Sequence, residues 1–412
     1  MPEKIAIMGG GAAGFFAAIA CARANPKNEV SVFERGSHFL TKVRISGGGR
    51  CNVTHACFEP RALGASYPRG ERALISPFYR FSPNDTVDWF EARGVRLKVE
   101  QDGRMFPVTD SSSTIIDCLV EEARRAGVKL FTHKGLQSAR TAPEGGFELE
   151  LAGDKVRCDR LLLATGGCRV AGSASIMQSL GHTVVPPVPS LFSFHVSTRW
   201  IHALPGIAVN DVEVSVKDTR LRERGPLLIT HNGVSGPVIL RLSAWGARLL
   251  HSFDYRFLIR VNWLPDLSES EIRTKFQSSR ESHPNRRVLS APVVSLPARL
   301  WEQLAIATGI VEETKWTTLS RAQANTLSRL LHGTELKVNG KSLNKEEFVT
   351  CGGVDLREMN LKTMESRITP RLYVAGELLD VDGITGGFNF QAAWTTGWIA
   401  GHAMAGVEPP DR

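Results

Sequence analysis

The first third of the chain alternates between short apolar runs and helical patterns. Residues 4–8 and 29–33 have the pattern of short buried strands, and the apolar, alanine-rich residues 15–24 between them predict a helix. Helices are also predicted over residues 82–93 and 113–126. Strands that alternate with helices in this way are typical of a doubly wound α/β sheet.

The character of the chain then changes twice. After the proline-rich residues 186–189, short β patterns dominate to about residue 264, and amphipathic helices follow. Strands return beyond residue 335. An apolar strand at residues 372–375 and an apolar helix over about residues 389–404 lie near the end of the chain.

These changes predict one nucleotide-binding domain that is split in the sequence, with a second domain inserted between its halves. The split domain is expected to comprise residues 1–189 and 346–412. The insert, residues 190–345, is expected to contain strands and a helical subdomain at about residues 266–333.

The turn after the first strand carries the first chemical signal. It reads Gly9-Gly10-Gly11-Ala12-Ala13-Gly14. Gly9 permits a tight turn, Gly11 lets the backbone approach a pyrophosphate, and Gly14 lets the helix pack on the sheet. Glu34 follows the second strand, where it is expected to accept both hydroxyls of an adenosine ribose and to repel a 2′-phosphate. The expected nucleotide is therefore a diol such as FAD or NAD.

The C-terminal strand and helix provide a second half for this site. The strand leads into Gly376 and Glu377, and the pair Gly386 and Gly387 precedes the helix. A helix start offers free N–H groups and about half a positive charge, which suits the pyrimidine edge of a reduced flavin. Glu377 is expected to hold ribitol hydroxyls. Because this second half lies at the far end of the chain, a cofactor with two functional halves is expected, and FAD is predicted rather than NAD. The chain shows no second Gly-x-Gly-x-x-Gly fingerprint in a βαβ unit, which argues against a dedicated NAD(P)H domain.

A third glycine-rich segment, residues 42–52, is expected to wrap the pyrophosphate or the middle of a long cofactor. It completes a predicted FAD site in three parts of the chain. The residues expected to contact the cofactor are Gly9, Gly11, Ala12, Ala13, Gly14, Glu34, Arg35, Lys42, Ser46, Gly48, Gly49, Arg50, Cys51, Asn52, Thr165, Gly166, Gly376, Glu377, Asp382, Gly386, Gly387, Phe388, Asn389 and Gln391.

Composition and charge narrow the functional class. A chain of 412 residues with 42% hydrophobic and 22% charged residues is globular and long enough for two or three domains. The net charge of +8 is spread thinly, so we expect a solvated basic surface and a small-molecule substrate, without nucleic-acid or membrane partners. Seven cysteines without a C-x-x-C pair indicate reduced thiols in a cytoplasmic protein. No metal site is predicted.

Longer signatures resemble the bacterial FAD-dependent oxidoreductases grouped as aminoacetone-oxidase-like and dehydro-bile-acid-reductase-like. They lie at residues 9–14, 46–52, 103–107, 230–237, 350–354 and 363–366 and in the C-terminal strand and helix. The resemblance implies a split Rossmann-like FAD domain of the glutathione-reductase type, with an inserted β-barrel that carries a helical subdomain. A glutamate that precedes the Thr-His signature in many relatives is absent here, where Gly225 and Pro226 stand ahead of Leu227.

Two side chains are candidates for chemistry at the flavin. His231 is either a proton donor to a substrate or a cap of the helix expected near Ser235. Cys351, beside two glycines, is either a small buried thiol or a group that approaches the flavin ring.

Three functions remain open. The favoured one is an FAD oxidoreductase that is reduced by NADH or NADPH as a transient reductant and passes hydride through flavin N5 to a small or steroid-like unsaturated substrate. The second is an oxidase of small, aminoacetone-like amines that produces peroxide. The third is a flavin-binding, redox-responsive protein without useful turnover.

Overall fold

A computed structural model describes residues 2–168, 172–342 and 349–407. The chain divides into two compact units, which we call the Rossmann unit (Met1–Val188 with Val349–Arg412) and the barrel unit (Pro189–Phe348). The predicted boundary at residues 345–346 lies outside the described residues. Within those residues, no helix combines the length and apolar character needed to cross a membrane.

The elements are numbered in chain order. The strands are Lys4–Met8 (β1), Glu29–Phe33 (β2), Thr54–His55 (β3), Leu97–Val99 (β4), Arg104–Pro107 (β5), Lys129–Phe131 (β6), Leu136–Thr141 (β7), Phe147–Leu151 (β8), Asp154–Cys158 (β9), Arg160–Leu163 (β10), Val188–Ser190 (β11), Phe194–Val196 (β12), Ala208–Val216 (β13), Arg222–Thr230 (β14), Gly233–Ser235 (β15), Phe257–Asn262 (β16), Thr334–Lys341 (β17), Val349–Cys351 (β18), Met359–Asn360 (β19), Glu365–Ser366 (β20) and Leu372–Val374 (β21). The helices are Ala12–Ala24 (α1), Thr41–Gly49 (α2), Pro60–Gly64 (α3), Glu71–Arg80 (α4), Pro83–Glu91 (α5), Ser112–Arg125 (α6), Ser173–Ser179 (α7), Pro237–Trp245 (α8), Ala247–Ser252 (α9), Glu269–Ser282 (α10), Ala298–Ile306 (α11), Arg321–His332 (α12) and Phe388–Met404 (α13).

The Rossmann unit is built on a seven-stranded sheet in the order β19-β20-β21-β10-β1-β2-β6. Strands β21, β10, β1, β2 and β6 are parallel, and β19 and β20 add an antiparallel edge. Residues 5–8 of β1 are buried on both faces of the sheet, as expected for a parallel strand covered by helices. The predicted doubly wound α/β fold is confirmed.

Helices α1 and α13 touch through their backbones. A Cβ atom added at Gly397 would lie 2.4 Å from the carbonyl oxygen of Ala13, and one added at Gly401 would lie 2.4 Å from that of Ala17. Only glycine leaves room for such an approach, so the two glycines bring the N-terminal and C-terminal ends of the chain together in one core.

The same contacts fix the direction of the two helices. Each contact advances by four residues along both helices, so α1 and α13 run parallel. Because α13 extends further toward its own N-terminus from this contact, its start lies about 12 Å beyond the start of α1 at 1.5 Å per residue. Both N-termini therefore face the same end of the unit.

The barrel unit contains a closed six-stranded barrel in the order β12-β15-β14-β13-β16-β17. All its strand pairs are antiparallel, and the alternating valines Val212, Val214 and Val216 of β13 point to its core. Helices α8 and α9 also belong to this unit, and α10 to α12 lie in the expected helical subdomain at residues 266–333. Trp301 and Trp316 are buried in its core.

Most differences from the predicted helices are at their ends. α1 begins at Ala12, three residues before the predicted start, because Ala12, Ala13 and Gly14 are already helical. α13 begins at Phe388, one residue early. In both cases the glycine-rich turn ends sooner than its composition indicates.

We predict that Gly401→Ala destabilises the cofactor-free protein by about 1–3 kcal/mol, because the added methyl group would press on α1. Alanine normally stabilises a helix interior by about 1 kcal/mol relative to glycine, so the expected sign is opposite to the propensity effect. Thermal unfolding followed by circular dichroism would measure it.

The matched control is Gly340→Ala in β17, where the new Cβ atom would have no neighbour among the described residues closer than 3.8 Å. A Gly401→Ala variant as stable as this control would contradict the proposed contact between α1 and α13.

Candidate cofactor site

Two glycines of the first turn are required by the fold itself. Gly9 has a φ of +113°, and a Cβ atom there would lie 2.2 Å from the carbonyl oxygen of Ala164. A Cβ atom at Gly14 would lie 2.0 Å from the carbonyl oxygen of Gly9. Both positions therefore exclude any side chain, whether or not a ligand is present.

Gly11 is different. Its φ is −93°, which any residue can adopt, and no heavy atom of the described residues other than its chain neighbours lies within 4 Å of an added Cβ atom. Neither backbone conformation nor packing explains the glycine. It caps the N-terminus of α1, with Ala12 and Ala13 in the first turn, so the open space lies where the helix start attracts an anion such as a pyrophosphate.

Glu34 is held beside this turn. Its carboxylate accepts hydrogen bonds from the backbone N–H groups of Gly10 at 2.9 Å and Gly36 at 2.7 Å. The next residue, Arg35, packs over Gly135, where a Cβ atom would lie 2.8 Å from Arg35 Cγ. The carboxylate is thus fixed at the tip of β2, and its contact with a ribose remains a prediction.

The segment of residues 42–52 contains most of α2, a kinked helix that ends at Gly49. Ser46 and Gly47 leave the helical conformation, and Gly48 and Gly49 have φ values of +70° and +87° with open space around the position of a Cβ atom. The Ser46 hydroxyl donates to the carbonyl oxygen of Val43. Gly48 and Gly49 therefore offer a second stretch of exposed backbone for a ligand.

Arg50 is engaged by the protein. Its Nη1 donates to Glu100 Oε1 at 2.7 Å, and its guanidinium lies 4.0 Å from the centre of the Phe106 ring. These contacts tie the segment to the β4–β5 hairpin. A phosphate would have to compete with Glu100 for Arg50.

Asn52 connects this segment to the start of α13, and Cys51 beside it is buried. Asn52, with its amide oriented to satisfy its neighbours, accepts from Gly387 N–H at 3.0 Å and donates to the carbonyl oxygen of Thr54 at 3.1 Å. Cys51 is fully buried, and burial raises the pKa of its thiol to about 12, so the thiolate is not available at neutral pH.

Glu377 joins three parts of the Rossmann unit. Its carboxylate forms an ion pair with Lys42 and accepts the backbone N–H of Thr350 at 2.9 Å. Nearby, Gly166 has a φ of +81° and open space at its Cβ position, and the Thr165 hydroxyl lies 3.1 Å from that of Ser173. Glu377 is thereby brought together with Lys42 as predicted for one site, and its role on ribitol stays a prediction.

Gly376 and the start of α13 are shaped by close contacts. A Cβ atom at Gly376 would lie 3.0 Å from that of Ala13, and one at Gly387 would lie 2.4 Å from the carbonyl oxygen of Thr54. The Asn389 side chain exchanges two hydrogen bonds with the backbone of Gly383, at 2.8 and 2.9 Å. Asn389 therefore fixes the loop before α13.

A buried polar network lies behind this helix start. The Gln391 amide oxygen accepts from the hydroxyls of Thr54 at 2.6 Å and Thr86 at 2.9 Å, and its nitrogen donates to Thr395 at 3.1 Å. Gln391 is fully buried, so its side chain serves the protein interior. Thr54 and Thr86 were not predicted, since no motif in the sequence links either threonine to residue 391.

His55 is a further residue that the sequence pattern did not single out. Its ring stacks on that of Phe388, with centroids 4.6 Å apart, and its Nε2 lies 3.1 Å from the carbonyl oxygen of Asp102. Burial lowers the pKa of the imidazole below its usual range. Neutral His55 therefore joins the start of α13 to the β4–β5 hairpin.

Asp382 is fully buried and forms an ion pair with Arg69. Its carboxylate thus has a structural partner inside the protein. Gly386 has a φ of +129°, and a Cβ atom there would lie 2.9 Å from the ring of Phe388. The loop from Asp382 to α13 is therefore held by ionic and aromatic contacts that the sequence did not indicate.

The two catalytic candidates lie in different units. His231 is exposed in the turn between β14 and β15 of the barrel unit. The alternative that His231 caps a helix is wrong, because α8 begins at Pro237, its N-cap is Gly236, and no side chain forms a capping hydrogen bond there. Cys351 is buried at the end of β18.

All seven cysteines are free thiols, so Cys51 and Cys57 form no disulfide.

The geometry fits a long dinucleotide such as FAD. The pyrophosphate end would lie at Gly11 and the start of α1, and the flavin end at the start of α13, which faces the same way about 12 Å further on. Glu34 and the Lys42–Glu377 pair would hold the ribose and ribitol hydroxyls.

We predict that Gly11→Val abolishes retention of FAD, because its side chain would fill the open space that the pyrophosphate needs. The smaller Gly11→Ala change should alter the stability of the cofactor-free protein by less than about 1 kcal/mol, the usual effect of a cap substitution. Flavin content after purification and thermal unfolding give the two readouts.

Gly9→Ala is the matched comparison, since it should destabilise the fold itself through its clash with Ala164. A Gly11→Val protein that purifies yellow and fully loaded would overturn the placement of the pyrophosphate.

We predict that Glu34→Ala weakens FAD binding by about 1.5–3 kcal/mol through the loss of charged hydrogen bonds. Glu29→Ala, at the other end of the same strand, should leave the affinity unchanged. Titration of cofactor-free protein with FAD, followed by flavin fluorescence, compares them. Equal affinities of the two variants would mean that Glu34 does not contact the cofactor.

Comparison with known proteins places the chain in a family. The profile described as HI0933-like protein Rossmann domain matches residues 3–403. The chain is 31% identical over 401 residues to the ribosomal RNA dihydrouridine synthase of Escherichia coli K12, with 95% of each protein covered. It is 29% identical over 412 residues to the 3-dehydro-bile acid delta(4,6)-reductase of Clostridium scindens, covering 98% of this chain and 99% of that protein.

A solved structure supports the fold. The 3-ketosteroid-delta4-(5alpha)-dehydrogenase of Rhodococcus jostii RHA1, in complex with 4-androstene-3,17-dione, matches 98% of this chain and 97% of its own with a TM-score of 0.51 at 15% identity.

These findings bear on two expectations. The resemblance to dehydro-bile-acid reductases is confirmed. The expectation that nucleic acid is not a partner gains no support, because one relative is named for ribosomal RNA. With the fold and the match along almost the whole chain, the conclusion is that this protein belongs to the HI0933-like family of Rossmann-domain FAD-dependent oxidoreductases.

Proposed function

We propose that this protein reduces a carbon–carbon double bond that is conjugated to a carbonyl group. The observation that carries the proposal is the similarity, along almost the whole chain, to two relatives whose names share this chemistry. Dihydrouridine is uridine with a saturated double bond next to a ring carbonyl. A delta(4,6)-reductase of a 3-dehydro bile acid saturates a double bond conjugated to the 3-oxo group.

The protein's part is to hold the cofactor and favour its reduced form. Bound FAD supplies hydride at N5. The N–H groups and positive end of α13 would stabilise negative charge on the pyrimidine edge, by about 0.3–1 kcal/mol or somewhat more when partly buried. Glu377, fixed by Lys42 and Thr350, is the proposed ligand of ribitol hydroxyls. Asn52 holds the glycine before α13 in place.

Addition across a conjugated double bond also needs a proton at the carbon next to the carbonyl. His231 remains the proposed donor, because it is exposed and imidazole is the side chain that most often transfers protons in catalysis. The buried thiol of Cys351 offers a weaker donor, so we give it no step in the reaction.

We propose uridine in RNA as the preferred substrate and a steroid-like enone as the second candidate. The similarity to a relative named for ribosomal RNA supports the RNA substrate, and the excess of 50 Lys and Arg over 42 Asp and Glu is compatible with a polyanion. NADH or NADPH is the proposed transient reductant, because the chain carries one dinucleotide fingerprint and FAD would occupy it.

The decisive experiment is anaerobic mixing of the FAD-loaded protein with NADH or NADPH, followed by exposure of the reduced protein to candidate acceptors. We expect rapid bleaching of the flavin, then reoxidation by a ribosomal RNA transcript or by a 4,6-dien-3-one steroid. Mass spectrometry should find the acceptor heavier by two hydrogens.

Two results would redirect the assignment. Peroxide release with aminoacetone, without reoxidation by either acceptor, would favour the amine oxidase. A fully loaded protein that exchanges electrons with none of these compounds would favour a redox-responsive role.

A further inference from the structure

Most of the excess positive charge belongs to the barrel unit. Its sequence contains 21 Lys and Arg residues against 15 Asp and Glu, whereas that of the Rossmann unit contains 29 against 27. An even spread would favour no particular partner. The positions of the cations in the barrel unit therefore decide whether they form a binding surface.

Four of these cations share one outward face of the barrel, which we call the basic barrel face: Lys217, Arg222, Arg260 and Lys337. The strand register places Ser215 of β13 between Arg222 of β14 and Arg260 of β16. All four side chains are exposed, and Ser215 between the two arginines is small.

The remaining two cations lie one row further along the same face. Leu258, two residues before Arg260 on β16, pairs with Lys337 of β17. The Leu258 carbonyl oxygen also accepts the backbone N–H of Lys217 at 2.9 Å. Neighbouring strands are about 4.8 Å apart, so Arg222 and Arg260 are separated by about 10 Å. A nucleic acid strand in a duplex carries one negative charge about every 3.4 Å of axis, so the face spans several phosphates.

The charges of this face are only partly neutralised. In the described parts of the chain, Arg222, Arg260 and Lys337 form no ion pair, and Lys217 pairs with Glu335 at 3.0 Å. The contrast is Arg224, two residues along β14, whose guanidinium is bound by acids. Four cations against Glu335 and Asp218, the two acids that interact with Lys217, leave a local excess of two positive charges.

Gly333 leaves the space that the Arg260 side chain occupies. Gly333 has an extended φ of −172°, which any residue adopts, yet a Cβ atom there would lie 2.1 Å from Arg260 Nε. The guanidinium thus occupies the space that a side chain at position 333 would need. Glu335 lies opposite Arg260 in the strand register but forms its ion pair with Lys217, so the Arg260 guanidinium stays available to an external anion.

We propose that the basic barrel face binds the phosphate backbone of an RNA substrate. This inference rests on the proposed function, since it takes uridine in RNA as the molecule that is reduced. Contacts of this kind position an RNA without reading its bases. A steroid-like substrate has no row of charges to match the face.

The test compares the triple variant Arg222→Ala, Arg260→Ala and Lys337→Ala with the FAD-loaded wild type. The probe is a fluorescein-labelled, single-stranded, uridine-rich RNA, and binding is followed by anisotropy over a series of salt concentrations. We expect the affinity to fall at least tenfold at low salt. The slope of log K against log salt should shrink by about 2, because each phosphate contact on a single strand contributes about 0.7.

The matched control is Lys275→Ala, Arg321→Ala and Arg329→Ala, which removes three exposed cations from α10 and α12 of the same unit. It changes the net charge equally, and we expect less than a twofold effect on RNA affinity. Unchanged FAD content and thermal midpoint check that both variants are folded.

Three results would overturn the inference. They are an equal loss of affinity in both variants, no loss in the first variant, and binding to vesicles of phosphatidylglycerol and phosphatidylcholine that depends on the face while RNA binding does not. The acceptor experiment is read separately. If no unsaturated acceptor reoxidises the reduced wild type, the proposed function fails. If one does, but RNA binding ignores the three substitutions, only this inference fails.

Discussion

The close packing of α1 on α13 is the contact on which the Rossmann unit depends. It joins residues almost 400 positions apart, and it is possible only because Gly397 and Gly401 have no side chains. Each glycine costs about 1 kcal/mol of helix propensity relative to alanine. Burial of α13 along almost its whole length offsets that cost, and in return two helix starts face one end of the unit. A long anionic cofactor needs that arrangement.

The second constraint is the way in which the start of α13 is held. Asn52 bonds the glycine before it, the indole of Trp394 donates to the carbonyl oxygen of Val53 at 2.9 Å, and Gln391 is satisfied by three hydroxyls. A buried amide with all these partners is rigid, whereas one left unpaired would cost about 1–3 kcal/mol. The Gly-Gly-Gly-Arg-Cys-Asn signature therefore has a structural meaning, since its last residue bonds to the start of α13, the proposed flavin end.

Features that depend on residues close together in the chain were predicted from the sequence, whereas contacts between distant residues were not. The strand-turn-helix unit around Gly9 and Gly14 was predictable because each glycine occupies a position where a side chain would clash. The clash at Gly14 is with the backbone of Gly9 a few residues away, and the clash at Gly9 is with Ala164, which follows a neighbouring strand. The engagement of Arg50 by Glu100 was not, because the two lie fifty residues apart in no shared motif. The barrel came from a resemblance, since alternating valines show a strand but not the partner that closes the ring.

His55 makes the start of α13 sensitive to pH. Burial lowers the pKa of its imidazole, so the folded protein disfavours the protonated form. The free energy of unfolding is therefore highest above the ordinary histidine pKa, and it decreases as the pH falls from that value through the lowered pKa. Protonation of the ring would disturb its stacking on Phe388, the first residue of α13. Mild acid should therefore disturb the start of α13, the proposed flavin end of the cofactor site.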